Sequence, residues 1–124
     1  MLTWTSDELN KIGTAKEIEI AALKHDGTLK SPVTIWVVRV ADDLYVRSWR
    51  GRNADWFRAA QMHHAGRIWV GGIEKDVSFV AQPDADLNNQ IDQAYRAKYS
   101  QSPYVDSMID SDSRTTTIKL SPRS

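Results

Sequence analysis

The residues best suited to chemistry lie in one run, Tyr45-Val46-Arg47-Ser48-Trp49-Arg50-Gly51-Arg52-Asn53-Ala54-Asp55-Trp56. An extended stretch carrying Arg47 leads into a glycine flanked by Arg50 and Arg52, and Asn53 can cap a helix that begins at once. Such a junction offers backbone amides, the positive end of a helix and guanidinium forks to one anion, so phosphate or carboxylate binding is the functional reading. The structural alternative makes Arg50 and Arg52 solvated turn residues and pairs Arg47 with an acid across the sheet. Both stay open at this level. Lys30-Ser31-Pro32 adds a cation and a hydroxyl just ahead of an apolar run that contains Trp36. Where a short turn makes the two extended runs neighbours, these groups line one cleft with Tyr45 and Trp49, a setting for a flat aromatic ligand with a charged tail. Taken singly, Trp36 and Trp49 each read first as core.

Other chemistries lack the residues they need. The chain has no cysteine, which excludes disulfides, thiolate metal sites and a thiol nucleophile. His63-His64 has no acid or third histidine at ligand spacing and His25 is remote, so no metal is expected. Ser6, Ser31 and Ser48 stand outside any Gly-x-Ser-x-Gly setting, and Gly71-Gly72 reads as a hairpin turn, not a dinucleotide fingerprint. Sixteen basic residues balance sixteen acidic ones, so there is no global field to attract nucleic acid or an anionic membrane, and an anion site must be local. The basic, aromatic stretch Tyr95-Arg96-Ala97-Lys98-Tyr99 is too small a footprint to change that. The start of the chain lacks the basic and apolar pattern of a secretory signal, and no apolar run approaches the roughly 20 residues of a membrane span, so the cytoplasm is the expected compartment.

The elements that must position these groups follow from periodicity. The 124 residues, 41% of them hydrophobic, suit a single α+β domain over 1–124. A leading helix is expected within 1–14, with Thr5 and Ser6 offering a hydroxyl cap and Gly13 as its stop. Period-two alternation in Glu17-Ile18-Glu19-Ile20-Ala21-Ala22-Leu23 predicts a strand, and the β-branched run over 33–40 a central one. After a turn at Asp42-Asp43, Leu44 and Val46 point one way and Tyr45, Arg47 and Trp49 the other. Two more strands, over 67–70 and 77–80, are joined across Gly71-Gly72. Helices are expected from Asn53 through Ala60 and after Pro83-Asp84, the second carrying Leu87, Ile91 and Ala94-Tyr95 on one face. The stretch 101–113 reads as a loop touching the body at Tyr104, Val105, Met108 and Ile109, and 114–121 as a closing strand ended by Pro122. Strands joined by such short links favour an antiparallel barrel. Its expected interior is Ile18, Ile20, Val33, Ile35, Val37, Leu44, Val46, Ile68, Val70 and Phe79.

The segment 30–38, then Leu44-Tyr45-Val46-Arg47-Ser48 with Gly51 and Trp56-Phe57, resembles the core of the flavin-binding split β-barrels, the pyridoxamine-phosphate-oxidase-like clan. Within it the chain is most similar to the deazaflavin-dependent nitroreductase-like branch and to the neighbouring uncharacterised domain family DUF2255. Gly66-Arg67-Ile68-Trp69-Val70-Gly71-Gly72, the helix ending at Tyr99 and the terminal Arg114 to Pro122 agree in order, so the likeness spans most of the chain. It departs at Trp56-Phe57-Arg58-Ala59, where the nitroreductase-like branch continues Trp-Tyr with an asparagine two places on, and in a shorter loop before Gly51.

The resemblance implies a six-stranded antiparallel split β-barrel with flanking helices, commonly a homodimer, holding flavin mononucleotide (FMN) or a deazaflavin of the coenzyme F-420 type in a groove near the dimer interface. It also implies that Lys30, Ser31, Arg47, Ser48, Arg50 and Gly51 hold the phosphate. With the aromatic and turn residues, the candidate site is Lys30, Ser31, Trp36, Tyr45, Arg47, Ser48, Trp49, Arg50, Gly51, Arg52 and Asn53. The expected function is oxidoreductase-like hydride transfer to a small molecule, the cofactor supplying the chemistry. The alternatives are a split barrel without a redox cofactor that binds another small anion or a partner protein, and a dimerisation module without a ligand.

Overall fold

The computed structural model describes residues 3–49, 51–81 and 84–123. Helix α1 (Ser6–Thr14) opens on a capping box in which Thr5 Oγ1 accepts from the Glu8 amide at 3.1 Å and the Glu8 carboxylate accepts from the Thr5 amide at 2.9 Å. Gly13 does not stop this helix. It lies inside it because a Cβ there would come within 3.2 Å of Arg39 Cβ, so the missing side chain lets helix and strand approach. Strands β1 (Ile18–Ala22), β2 (Val33–Ile35), β3 (Val38–Val40) and β4 (Asp43–Val46) follow, and then a 3-10 turn at Gly51–Asn53. Helix α2 (Asp55–His63) leads into the hairpin of β5 (Ala65–Val70) and β6 (Ile73–Ala81). Helices α3 (Ala85–Lys98), α4 (Val105–Ile109) and α5 (Ser111–Arg114) precede the last strand, β7 (Ile118–Pro122).

All seven strands form one antiparallel sheet in the order β2-β1-β5-β6-β7-β4-β3. Its two edge strands, β2 and β3, are separated in the chain by Trp36 and Val37 alone, so the sheet must curl until its edges meet. Segment 33–40 is thus one strand broken at the seam of the barrel, which makes seven strands from six lengths of chain. The expected central strand is corrected here. Each half pairs on one side only, β2 with β1 and β3 with β4, and the polarity of its neighbours does not reveal the break. Val33 is accordingly 36% exposed at the edge, whereas the other nine residues expected inside are buried.

Two apolar clusters result. The barrel interior takes residues of every strand but β3, among them Ile20, Leu44, Val46, Ile68, Val77, Phe79 and Leu120, and is closed by Trp4, Leu9 and Ile12 of the leading segment and by Trp56, Phe57 and Ala60 of α2. The outer face of β3 and β4 carries Val38 and Tyr45 against Ile91, Tyr95 and Tyr99 of the α3 region and Met108 of α4. Gly66 is demanded by close packing, since a Cβ would sit 2.1 Å from Ala21 O across the β1–β5 ladder and 2.8 Å from the Phe79 ring. Trp4 Nε1 donates to Leu120 O at 2.9 Å and ties the leading segment to β7.

Further differences from expectation lie at element ends. Asn53 is not the cap of α2; the N-cap is Ala54, without a side-chain bond, because the 3-10 turn takes up Gly51–Asn53 first. The expected loop over 101–113 folds into α4 and α5, the second capped by Asp110 Oδ1, which accepts from the Ser113 amide at 2.8 Å. The closing strand begins at Ile118 instead of 114, after Thr115, Thr116 and Thr117 bond back to Asp112, Ser113 and Arg114. Pro83, the expected lead into α3, lies outside the described residues.

Candidate functional site: an aromatic cleft at the barrel seam

Where segment 33–40 breaks, the ladder cannot serve the backbone of Val37, and α3 serves it instead. Val37 N donates to Tyr99 Oη at 3.3 Å, and Val37 O accepts from Lys98 Nζ at 2.6 Å. Tyr99 Oη donates in turn to Lys16 O at 2.6 Å. The Tyr99 ring lies flat on Trp36, with centroids 3.8 Å apart and planes 3° apart. Burial pushes the Tyr99 phenol up to about 12 and pulls the Lys98 ammonium down to about 8.

In front of this seam lies a cleft of about 380 Å³, lined by Glu17, Thr34, Ile35, Trp36, Arg47, Trp49, Trp56, Tyr104, Ser107 and Met108. Three tryptophans and a tyrosine line its wall, with two hydroxyls and one carboxylate as polar handles. Trp36 projects from the strand break, Trp49 from the segment after β4, Trp56 from the first turn of α2, and Tyr104 and Met108 from the α4 region. Such a wall suits a flat apolar ring, and the volume falls in the roughly 300–1,000 Å³ range of small-molecule sites.

Of the candidate residues the structure brings Trp36, Arg47 and Trp49 to the cleft and places the other described ones elsewhere. Tyr45 is buried in the second cluster, under α3. Arg47 is corrected from an anion fork to a structural residue, because it is 1% exposed and every one of its five N–H donors has a protein acceptor. Nε donates to Thr117 Oγ1 at 2.9 Å, one terminal nitrogen to Asp92 Oδ1 at 2.5 Å and Met108 O at 3.0 Å, and the other to Asn88 O at 3.2 Å and Asn88 Oδ1 at 2.9 Å. Its partner acid stands on α3 and not across the sheet, and Asp92 also holds Arg114 Nε at 3.1 Å.

Ser48 is likewise buried, its amide donating to Thr116 Oγ1 at 2.8 Å and its carbonyl accepting from Ser113 Oγ at 3.2 Å. Gly51 is buried at φ +68°, 3.8 Å from Asp112 Cβ by its virtual side chain, so it turns the chain against α5. Arg52 and Asn53 are exposed in the 3-10 turn. Arg50 lies outside the described residues. Lys30 is half-buried and Ser31 exposed, and neither lines the cleft.

The cleft residues that sequence reasoning did not assign are Glu17, Thr34, Ile35, Trp56, Tyr104, Ser107 and Met108. Tyr104 and Met108 carried a signal, as apolar points in an otherwise polar stretch, and Trp56 as an anchor of its helix. Glu17 carried none, since its place depends on where β1 starts relative to the seam.

Over residues 8–120 the sequence matches the family described as an uncharacterized protein conserved in bacteria, DUF2255. No curated protein matches it. Among solved structures the chain is similar to HutZ, the heme storage protein of Vibrio cholerae, at TM-score 0.73 and 12% identity, covering 96% of this chain and 90% of that one. An FAD-binding protein of Mesorhizobium loti superposes at TM-score 0.56 and 18% identity, over 98% and 90% of the two chains. An F420 reductase does so at TM-score 0.59 and 12% identity, over 94% and 93%. At these identities the likeness is one of fold, and the fold is the split barrel.

Proposed function

The chain belongs to the DUF2255 family of bacterial proteins, and from that premise we propose that it is a flavin- or deazaflavin-binding, oxidoreductase-like protein. The observation that carries the reading is the cleft of about 380 Å³ walled by Trp36, Trp49, Trp56 and Tyr104. A tricyclic ring is flat, apolar on its faces and polar along its edge. Indole and phenol rings meet the faces, while Thr34 and Ser107 offer hydroxyls and Glu17 a carboxylate to the edge. When bound, such a ring supplies hydride transfer, and the residues of the chain bind it, orient it and keep water from it. Arg52, exposed in the 3-10 turn after Trp49 and outside the cleft lining, is the cation this reading assigns to a charged tail. The split-barrel neighbours that bind FAD, F420 or heme support a ring cofactor of this kind without deciding among them.

We also propose that two chains pair. Trp49 is 65% and Tyr104 67% exposed beside the cleft, apolar surface of the sort a second copy covers.

The test is titration of the purified protein with FMN, riboflavin and a 5-deazaflavin, followed by absorbance and calorimetry, with hemin in parallel. Saturable one-to-one binding of a flavin or deazaflavin supports the reading. No binding of any of them removes it and leaves a split barrel that takes another small anion or a partner protein.

A further inference from the structure

The three tryptophans of the cleft are held in different ways. Trp49 is 65% exposed and has no ring partner among the described residues. Trp56 is 8% exposed, belongs to the barrel core and meets Phe57 edge-on at 6.0 Å and 84°, so most of its ring is occupied there. Trp36 alone is both half-buried and clamped, one face covered by Tyr99 at 3.8 Å and 3°. Tyr99 is 6% exposed, does not line the cleft, and is locked at its hydroxyl by Val37 N and Lys16 O. The surface that Trp36 gives to the cleft is therefore the part that Tyr99 leaves uncovered, held at an angle set by hydrogen bonds to the strand break.

We propose that the bound ring stacks on the free face of Trp36, completing a three-layer stack with Tyr99 behind it, and that Tyr99 is the positioning residue for that wall. The inference rests on the cleft being a flavin-ring site. A wall already fixed before binding loses little side-chain freedom when the ligand arrives, which is where preorganisation adds affinity. Trp49 has its freedom still to lose, and Trp56 has little face to offer. Lys98, 5.2 Å from the Tyr99 ring centroid and bonded to Val37 O, braces the same unit from α3.

FMN is the probe, with affinity read by calorimetry and emission of the bound flavin read separately. An excited flavin takes an electron from an indole in contact and returns it without emitting, so contact is seen as quenching. The wild-type complex is expected to be strongly quenched. Among Trp36→Phe, Trp49→Phe and Trp56→Phe, the first should give the largest recovery of emission. Tyr99→Leu should weaken binding by about two- to tenfold, the worth of one aromatic pair, and raise emission. Tyr99→Phe, which keeps the stacked ring, should retain the quench. A larger recovery from Trp49→Phe or Trp56→Phe overturns the stack, as does a folded Tyr99→Leu protein with wild-type affinity and emission. Should Tyr99→Leu not fold, the three tryptophan variants decide. Binding with unquenched emission overturns only this inference, whereas no FMN binding by the wild type removes the inference together with FMN as ligand.

Discussion

Replacing Arg47 by methionine keeps most of the length of the side chain and deletes the guanidinium, and the cost can be worked from its partners. The change removes an ion pair to Asp92 at 2.5 Å and the bonds to Thr117, Met108 O and Asn88. Two of the groups left behind are not stranded: Asp92 keeps Arg114 at 3.1 Å, and Asn88 Oδ1 keeps Thr117 Oγ1 at 2.6 Å. Met108 O loses a side-chain donor at a buried place. Breaking a buried pair typically costs about 3–5 kcal/mol, and the retained partners put this case near the lower end, about 3 kcal/mol. Against a total of roughly 5–15 kcal/mol for a domain, that is a large loss. Urea denaturation followed by tryptophan fluorescence should show the midpoint fall with the slope unchanged. Arg47→Lys should lie between, keeping the charge but not the fork. Arg52→Ala, at an exposed turn, should stay within about 0.5 kcal/mol of wild type. An Arg47→Met protein less than about 1 kcal/mol destabilised that has nonetheless lost FMN binding would refute this reasoning and return Arg47 to the anion site.

Four further outcomes are expected. Gly66→Ala should give little or no folded protein on expression, because its Cβ would lie 2.1 Å from Ala21 O, and a soluble variant with wild-type circular dichroism would contradict the packing described. Burial lowers Lys98 from 10.5 to about 8, so between pH 8 and 10 the unfolded chain keeps a proton that the folded one has released, and this group makes stability rise with pH there. Above pH 10 the Tyr99 phenol, raised to about 12, reverses the trend because the unfolded chain ionises first. Lys98→Met should flatten the rise in denaturation midpoints over pH 8 to 10, and an unaltered profile would count against it. Trp49→Ala should leave the denaturation midpoint unchanged while weakening FMN binding, the opposite pattern to Arg47→Met. Sedimentation at micromolar concentration should show a dimer, and a monomer there would remove the pairing proposed for the Trp49 and Tyr104 surface.

The barrel was legible because its signals are local. Alternation at Ile18 and Ile20, at Leu44 and Val46, and around Gly71-Gly72 marks strands and turns whatever lies elsewhere in the chain. The break in segment 33–40 was not legible, since nothing in Val-Thr-Ile-Trp-Val-Val-Arg-Val says that its halves sit on opposite edges of one sheet. That follows only from closure of the barrel, a property of all the strands together. Arg47 shows the same limit for the site. Beside Arg50, Gly51 and Arg52 it resembles an anion fork, and the groups that claim its donors, Asn88, Asp92, Met108 and Thr117, lie 41 to 70 positions away. Trp36 and Trp49 could be placed in one cleft because a short turn links their strands, whereas Glu17 and Tyr104 reach it by routes that no spacing encodes.

The place of β7 has a consequence for how the chain is made. It is the last of the described strands to leave the ribosome, yet it lies between β6 and β4. Until 118–122 emerge, the β3–β4 hairpin and the β2-β1-β5-β6 sheet have no ladder joining them, and Trp4 waits for the carbonyl of Leu120. At about 5–20 residues per second the nascent chain spends seconds with Leu44, Val46 and Phe79 uncovered. Closure of the barrel is therefore a step that waits for 118–122, and any delay in translating the codons of that strand lengthens the interval in which two open half-sheets are exposed to other chains.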